Sequence, residues 1–276
     1  MGRGEKKHHY NATTTKTNDT TCTTSKNNKF DLIHVTSPGL LLFPALLASR
    51  LANLPLVMSY HTHLPVYLES YLPVVIPKLL RKIIIWIVWK CLSLVHSMAD
   101  LTLVTSPQIR QEFQQHNLSR NKILVWPKGI NTTHFHPSFR SKEMRKQMIH
   151  GNNSSSADDD YSSVLLLVYI GRLAKEKRLR DLKAILEQLQ QQCQHNNNST
   201  RSHLCLIGSG PEEDALREYF QGTDTTFLGQ LDGLALQQAF ASGDIFVMPS
   251  DSETLGFVVL ESMASGVPCV AAVLVV

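Results

Sequence analysis

Cysteine is scarce and scattered in this chain of 276 residues: five in all, at positions 22, 91, 193, 205 and 269, with no CxxC pair. That excludes a zinc ribbon and offers no even-numbered disulfide framework; a reducing compartment fits such a set best. Charged residues make up 18%, below the roughly 25% of an average globular chain. With 43% hydrophobic residues there is enough for real cores, so neither a wholly disordered chain nor a coiled coil is expected. No apolar run reaches the roughly 18 residues read as a membrane span. There is no GxxxxGK[ST], hence no P-loop, and no internal repeat. Length alone is about two domains' worth.

Acidic residues are lacking mainly in the first part. Residues 1–150 hold 19 Lys+Arg against 7 Asp+Glu, whereas 151–276 hold 8 against 16, and ten of the twelve histidines lie before residue 151. Two oppositely charged halves predict two modules with different partners. A basic module can meet nucleic acid, an anionic membrane or an anionic substrate.

Residues 1–29 are Thr, Asn, Lys and His with almost nothing apolar, so they are expected to be a disordered tail. The tail is a poor transit peptide, since Glu5 and Asp19 interrupt it and Arg is scarce. From Phe30 the pattern becomes α/β. Strands are predicted at 30–35, 56–60, 101–105 and 123–126, with helices at 40–52 and 74–98. The stretch 151–163 (GNNSSSADDDYSS) is polar and reads as a linker or inserted loop. Strands then follow at 164–170, 204–207, 226–228, 245–248 and 268–272, alternating with helices at 179–192, 211–220, 234–242 and 255–265. Residues 195–202 are expected to be a surface loop. The alternation implies parallel sheets with right-handed crossovers, one in a domain over 30–150 and one in a domain over 164–276.

The strongest chemical segment is MPSDSETLGFVVLESMASGVPCVAA, 248–272. A strand end, a short polar loop and a helix start place Glu253 before the first turn and Glu261 about two turns on, nearly on the same side. Ligands of open α/β sheets sit at the carboxyl ends of strands. The free amides of Thr254, Leu255 and Gly256 would face a phosphate there, and Gly256 would let it approach. Spacing alone leaves a plainer alternative, a capping Glu253 and a solvated Glu261. GRLAKEK at 171–177 and IGSGP at 207–211 each follow a strand. His61 and His63, at i and i+2 in SYHTHLPVY, lack a third ligand at suitable spacing, so no metal is expected.

The segment 248–272 resembles the signature of the retaining GT-B glycosyltransferases of family 4, in which two glutamates seven residues apart sit within ETxGxVxLExMAxGxPVVA. The resemblance implies two Rossmann-like domains facing a cleft. Glu261 would hold the nucleotide ribose and Glu253 the donor sugar. Arg172 and Lys177 would clasp the diphosphate after Gly171, neutralising the leaving group without a metal or other cofactor. Gly208 and Gly210 match the family's GxGP turn, although Ser209 stands where Asp is usual.

SYHTHLPVY, SPG at 37–39, ADLTLV, KGIN at 128–131 and the stretch 139–145 are similar to plant and cyanobacterial sulfoquinovosyltransferases, over about 30–272. This implies transfer of sulfoquinovose from UDP-sulfoquinovose to diacylglycerol at a plastid membrane. His61 would line the cleft near donor and acceptor. Lys128 would meet the sulfonate, with His63, Ser37 and Gly39 as further sulfonate or acceptor contacts. Other glucosyl or mannosyl transfers to lipid, and a nucleotide- or membrane-binding remnant, stay open.

Against the family pattern the first strand and its glycine loop are expected to be missing before Phe30, and the terminal helices after Ala272. Both domains are thus expected to be incomplete. VVIPKLLRKIIIWIVWKCLSLVHSM, 74–98, mixes basic residues with Trp86 and Trp89. It reads either as an in-plane helix on an anionic membrane or as a core helix with a basic outer face. Basic residues are not interleaved with aromatic stacking platforms, so no nucleic acid partner is expected.

Overall fold

In the computed structural model the described residues are 30–73, 75–118, 122–126, 128–151, 163–195, 201–250 and 256–272. Leu32–Val276 form one unit containing two parallel sheets. The first sheet has the order β1-β2-β3-β4, from β1 (Ile33–Ser37), β2 (Leu56–Tyr60), β3 (Leu101–Val104) and β4 (Ile123–Val125). Register aligns Val35 with Met58, Met58 with Thr102 and Thr102 with Ile123, so these four side chains share one face. That face packs on α1 (Leu42–Ala52), α3 (Lys78–Ser97) and α4 (Pro107–Gln115). Val35, Leu56 and Met58 meet Leu42, while Tyr60, Val104 and Ile123 meet Trp89, Leu92, Ile109 and Phe113. The opposite face carries His34 and Ser59, hydrogen-bonded at 3.0 Å.

Three helices escape the predicted string. One is α5 (Lys142–His150). Another is α2 (Leu64–Tyr71), with Pro65 in its first turn. The third is α4, capped by the Ser106 hydroxyl, which accepts from the Ile109 amide at 3.2 Å. Ser-Pro before an amphipathic stretch is a helix start, so this signal was present.

The second sheet has the order β7-β6-β5-β8-β9, from β5 (Val164–Ile170), β6 (Arg201–Ile207), β7 (Thr225–Gly229), β8 (Ile245–Met248) and β9 (Cys269–Ala271). The run VLLLVYI of β5 is apolar throughout because helices cover both its faces. Leu166, Val168 and Ile170 meet α5 (Lys142–His150) and α8 (Gly233–Ser242). Leu167 and Tyr169 meet α6 (Asp181–His195) and α7 (Glu213–Tyr219). Residues 201 and 202 belong to β6, not to the loop expected at 195–202, because Arg201 pairs with Val164 and its guanidinium with Asp224 at 2.6 Å.

Helix α5 falls in the sequence segment 30–150, yet it packs on the second sheet. Met144, Met148 and Ile149 are buried against β5 and β6. Arg145 reaches across to Asp244, donating at 2.7 and 3.0 Å, and to the carbonyls of Val164 and Ser242 at 2.6 and 3.0 Å. By packing, the second module therefore begins before residue 151. Residues 152–162 of the expected linker, the tail 1–29 and residues 273–276 lie outside the described residues.

Candidate functional site

Three loops at the carboxyl ends of β5, β6 and β7 are laced backbone to backbone. Gly171 donates its amide to the Ile207 carbonyl at 2.9 Å, and Leu173 to Ser209 at 2.9 Å. Glu212 donates to Leu173 at 3.0 Å, and Gly208 to Gly229 at 2.7 Å. A Cβ at 208 would overlap the Gly171 carbonyl, and one at 210 the Leu173 carbonyl. These two glycines let one loop lie directly on another; their small size serves the chain's own backbone before any ligand.

The laced loops floor a cavity of about 520 Å³. Its polar lining comes from Gly171 and Arg172 after β5, Gly208, Ser209 and Gly210 after β6, Gln230 after β7, and Glu261 of α9 (Phe257–Ala264). Its apolar wall is Leu231, Leu236, Phe240 and Val258. The position follows from topology: β5 lies between β6 and β8, where the strand order reverses, and ligands of such sheets bind outside that crevice. Glu261 is half-buried, and burial raises its carboxyl pKa above the ordinary value. Arg172 is exposed at the rim, its own carbonyl accepting from the Tyr169 hydroxyl at 3.0 Å. Gly256 has φ +66°, a left-handed residue at the start of α9, and a Cβ there would meet only Val259 and Met248 at 3.5 Å or more. The helix thus opens at 257 rather than near 254. Glu253, Thr254 and Leu255 lie outside the described residues.

Lys177 closes the short turn Lys175–Lys177 and is half-buried, but does not line the cavity. Beside it Glu176, which sequence patterning left without a role, is only 4% exposed. Tyr71 of α2 donates its hydroxyl to a Glu176 carboxylate oxygen at 2.7 Å. This bond raises the tyrosine pKa. It also ties the first sheet's helices to the loop carrying Arg172 and Lys177.

A second cluster stands on the first sheet. His61, just past β2, has Nε2 3.0 Å from the Ser59 hydroxyl, and its ring nitrogens are 3.4 Å from the Lys128 Nζ. Burial first, then Lys128 and His34, lower the His61 pKa, so the imidazole is neutral at pH 7. The Lys128 ammonium lies over Trp126 at 4.9 Å and over Phe257 of α9 at 6.0 Å. Trp126 and Phe257 carried no sequence signal for this.

The remaining expected contacts sit elsewhere. His63 is buried with Nε2 2.7 Å from Glu112. The Ser37 hydroxyl is buried 3.0 Å from His96 Nε2, whose Nδ1 is 3.1 Å from Thr102. Burial lowers the His96 pKa to about 4. A Cβ at Gly39 would meet the Thr36 carbonyl at 3.3 Å. Ser37 and His63 are thus held inside the first module by their own partners. Among the described residues no three His, Cys, Asp or Glu side chains gather as a metal site.

Comparison with known proteins matches each sheet to a family model. Residues 24–134 match one described as Glycosyltransferase Family 4, and 165–274 one described as Glycosyl transferases group 1. The chain belongs to the family-4 glycosyltransferases, with the GT-B fold. Among its family-4 relatives, Sulfoquinovosyl transferase SQD2 of Arabidopsis thaliana is 38% identical over 88% of this chain and 43% of its own. A GDP-mannose-dependent alpha-mannosyltransferase of Corynebacterium glutamicum is 29% identical over 87% of this chain and 50% of its own. The chain therefore spans about half the length of the curated relatives it matches. Anabaena HepE, solved in complex with UDP and glucose, shares the fold with a TM-score of 0.63 at 20% identity, over 88% of this chain and 59% of that one. Sucrose-phosphate synthase from Thermosynechococcus elongatus does so at 0.61 and 24%, over 88% and 56%.

Proposed function

We propose that this chain carries the catalytic core of a retaining glycosyltransferase that moves sulfoquinovose from UDP-sulfoquinovose to the free hydroxyl of diacylglycerol. The observation that carries this is the cavity at the strand-order reversal, with a guanidinium at its rim and a half-buried carboxylate in its wall, in a chain 38% identical to a sulfoquinovosyl transferase.

The bond between the anomeric carbon and the diphosphate oxygen breaks, a bond to the acceptor oxygen forms on the same face, and the proton of the acceptor hydroxyl passes to the departing diphosphate. Charge develops on the diphosphate, where Arg172 at the cavity rim stabilises it and Lys177, behind it on the same loop, adds its charge from outside the lining; no metal is assigned to the reaction, and chelation with EDTA should leave turnover unchanged. Glu261 accepts from the ribose hydroxyls, with Leu231, Leu236 and Phe240 beside the base. Neutral His61 orients donor and acceptor from the opposite side. Glu253 and the amides of 254–256 would hold the sugar, as in the family pattern.

Diacylglycerol resides in a bilayer, so the enzyme must work at a membrane surface, in this reading that of a plastid. Among the described residues no helix is long and apolar enough to cross a membrane. The basic first half supplies the attraction to an anionic surface.

The test is to supply UDP-sulfoquinovose, UDP-glucose and GDP-mannose with diacylglycerol in mixed micelles and follow glycolipid formation. Sulfolipid from the first donor alone is expected. The mannosyltransferase relatives favour a second reading, lipid mannosylation, which product from GDP-mannose would establish. UDP binding without any product would reduce the chain to a nucleotide-binding remnant.

A further inference from the structure

The buried Ser59 hydroxyl of β2 is shared by two imidazoles. Its Oγ lies 3.0 Å from the Nε2 of His34 on β1 and 3.0 Å from the Nε2 of His61, just past β2. A hydroxyl has one proton to give. Ser59 therefore donates to one ring and accepts from the other. Among the described residues this oxygen has no third partner. Two donating rings would leave a buried O–H unmatched, and two accepting rings would compete for a single proton; both arrangements are costly inside a fold. One Nε2 thus carries a proton and the other is bare, and Ser59 couples the tautomers of the two histidines.

Lys128 does not choose between the two nitrogens of His61. Its Nζ is 3.4 Å from Nδ1 and 3.4 Å from Nε2, so its charge favours neither as the bare one. Burial first, then Lys128 and His34, keep that ring neutral, and a neutral imidazole has one donating and one accepting nitrogen. At the other end of the pair His34 is exposed. Trp126 stands beside both rings, with centroids 5.9 and 6.5 Å away. The cluster also has a place. Lys128 lies 6.0 Å from the ring of Phe257, which opens α9, and the next residue, Val258, lines the nucleotide cavity.

Resting on the glycosyl-transfer reading above, in which His61 orients donor and acceptor, we infer that His34 is a positioning residue: through the buried Ser59 hydroxyl it sets which nitrogen of His61 bears the proton. Where the Nε2 of His34 accepts from Ser59, the Nε2 of His61 donates and its Nδ1 is bare. Where His34 donates, the Nδ1 of His61 holds the proton. An imidazole edge that donates to a hydroxyl in one tautomer accepts from it in the other. The wrong tautomer therefore misplaces the reacting hydroxyl while leaving the nucleotide where it was. His34 touches no substrate in this scheme and acts only through Ser59 and His61.

The experiment pairs ring-nitrogen NMR of the full chain, carrying isotope-labelled histidine, with rates and UDP binding. Signals of His34 and His61 are assigned by their loss in His34→Gln and His61→Gln. In the unaltered chain one and only one of the two Nε2 atoms should carry a proton; both protonated, or both bare, overturns the inference. In His34→Ala the proton on the His61 ring should redistribute, and kcat should fall about tenfold. UDP affinity should hold, since neither histidine nor Ser59 lines the nucleotide cavity. His34→Gln, whose amide both donates and accepts, should restore most of the rate. His34 is exposed, so these variants keep the core, and an unchanged melting curve certifies it. A His61 spectrum unmoved by His34→Ala overturns the inference, as does a kcat that stays constant while the spectrum moves. Coupled protonation that responds to His34→Ala, with no donor turned over, upholds the hydrogen-bond coupling while refuting the reaction proposed above.

Discussion

Tyr71 reaches from the first sheet's helices to donate a 2.7 Å hydrogen bond to Glu176, one residue before Lys177 and four after Arg172. The acceptor is buried, and its second carboxylate oxygen has no partner among the described residues. The loop that would neutralise the leaving diphosphate is thus positioned in part by the opposite module.

Removing that hydroxyl should loosen the loop without unfolding either sheet. Tyr71 is itself exposed, so the bond is worth only about 1 kcal/mol. Tyr71→Phe is expected to lower kcat/KM about fivefold while thermal stability changes little. Initial rates with the accepted donor, set beside a melting curve, check this; a large drop in Tm with unchanged rates would assign the bond to stability alone.

Glu261→Gln separates binding from folding. Burial raises the Glu261 pKa, so the folded state keeps this proton to a higher pH than the unfolded chain does. The group's contribution to stability is therefore full below the ordinary carboxylate range and is lost as pH rises through the raised value. The amide carries no charge to desolvate, and the variant should be no less stable than the parent at pH 7. Its UDP affinity should fall about tenfold. In the parent, UDP affinity should decline as pH drops through the raised pKa, since the ionised carboxylate accepts the ribose hydroxyls; in the variant this limb disappears. Titration calorimetry between pH 4 and 8 reads both.

Most of the frame was legible in residues. Val164–Ile170 and Leu56–Tyr60 announce themselves as short apolar runs between polar breaks, and both strands fall where the pattern sets them. Arg172, Glu261 and the glycines at 171, 208 and 210 do line one cavity, because strand ends of a parallel sheet converge. What the pattern could not give is tertiary. Ser37 ends a strand and His63 follows one, as His61 does, but their partners His96 and Glu112 lie 59 and 49 positions away, and only packing shows them turned inward. Helix α5 follows the first sheet in sequence and covers the second, because Arg145 finds Asp244 there. Gly208 and Gly210 look like phosphate-binding glycines in one dimension; in three, a neighbouring loop already fills the space over them.

That Arg145–Asp244 pair gives a stability prediction. Burial alone would raise the Asp244 pKa, but hydrogen bonds from Arg145 and the Leu166 amide, with the charges of Arg145 and Arg140, outweigh it and lower it. A lowered folded pKa means stability that is present above the ordinary carboxylate range and lost as pH falls through the folded value. Asp244→Asn should cost about 2 kcal/mol at neutral pH, less than for a fully buried pair because Asp244 is partly exposed. Near pH 2 the difference from the parent should largely close. Urea unfolding at the two pH values decides it.

The last prediction concerns the face of α3 turned from the core. Trp89, Leu92 and His96 are buried, whereas Leu79, Ile83, Trp86, Ile87 and Leu94 are exposed. At 100° per residue the exposed set gathers into one stripe well apart from the buried one. Lys90 lies within that stripe, 5.6 Å from the Trp86 ring, and Lys78, Arg81 and Lys82 sit near the helix start. Apolar side chains with an interfacial Trp beside cations suit a helix lying in the plane of an anionic bilayer. Each cation near the surface adds about 1 kcal/mol. Lys90→Glu should therefore weaken sedimentation with phosphatidylglycerol vesicles strongly, and Trp86→Ala should weaken it several-fold. Neither change should alter UDP affinity, since α3 contributes no residue to the cavity. Equal sedimentation of all three proteins would exclude this face as the membrane contact.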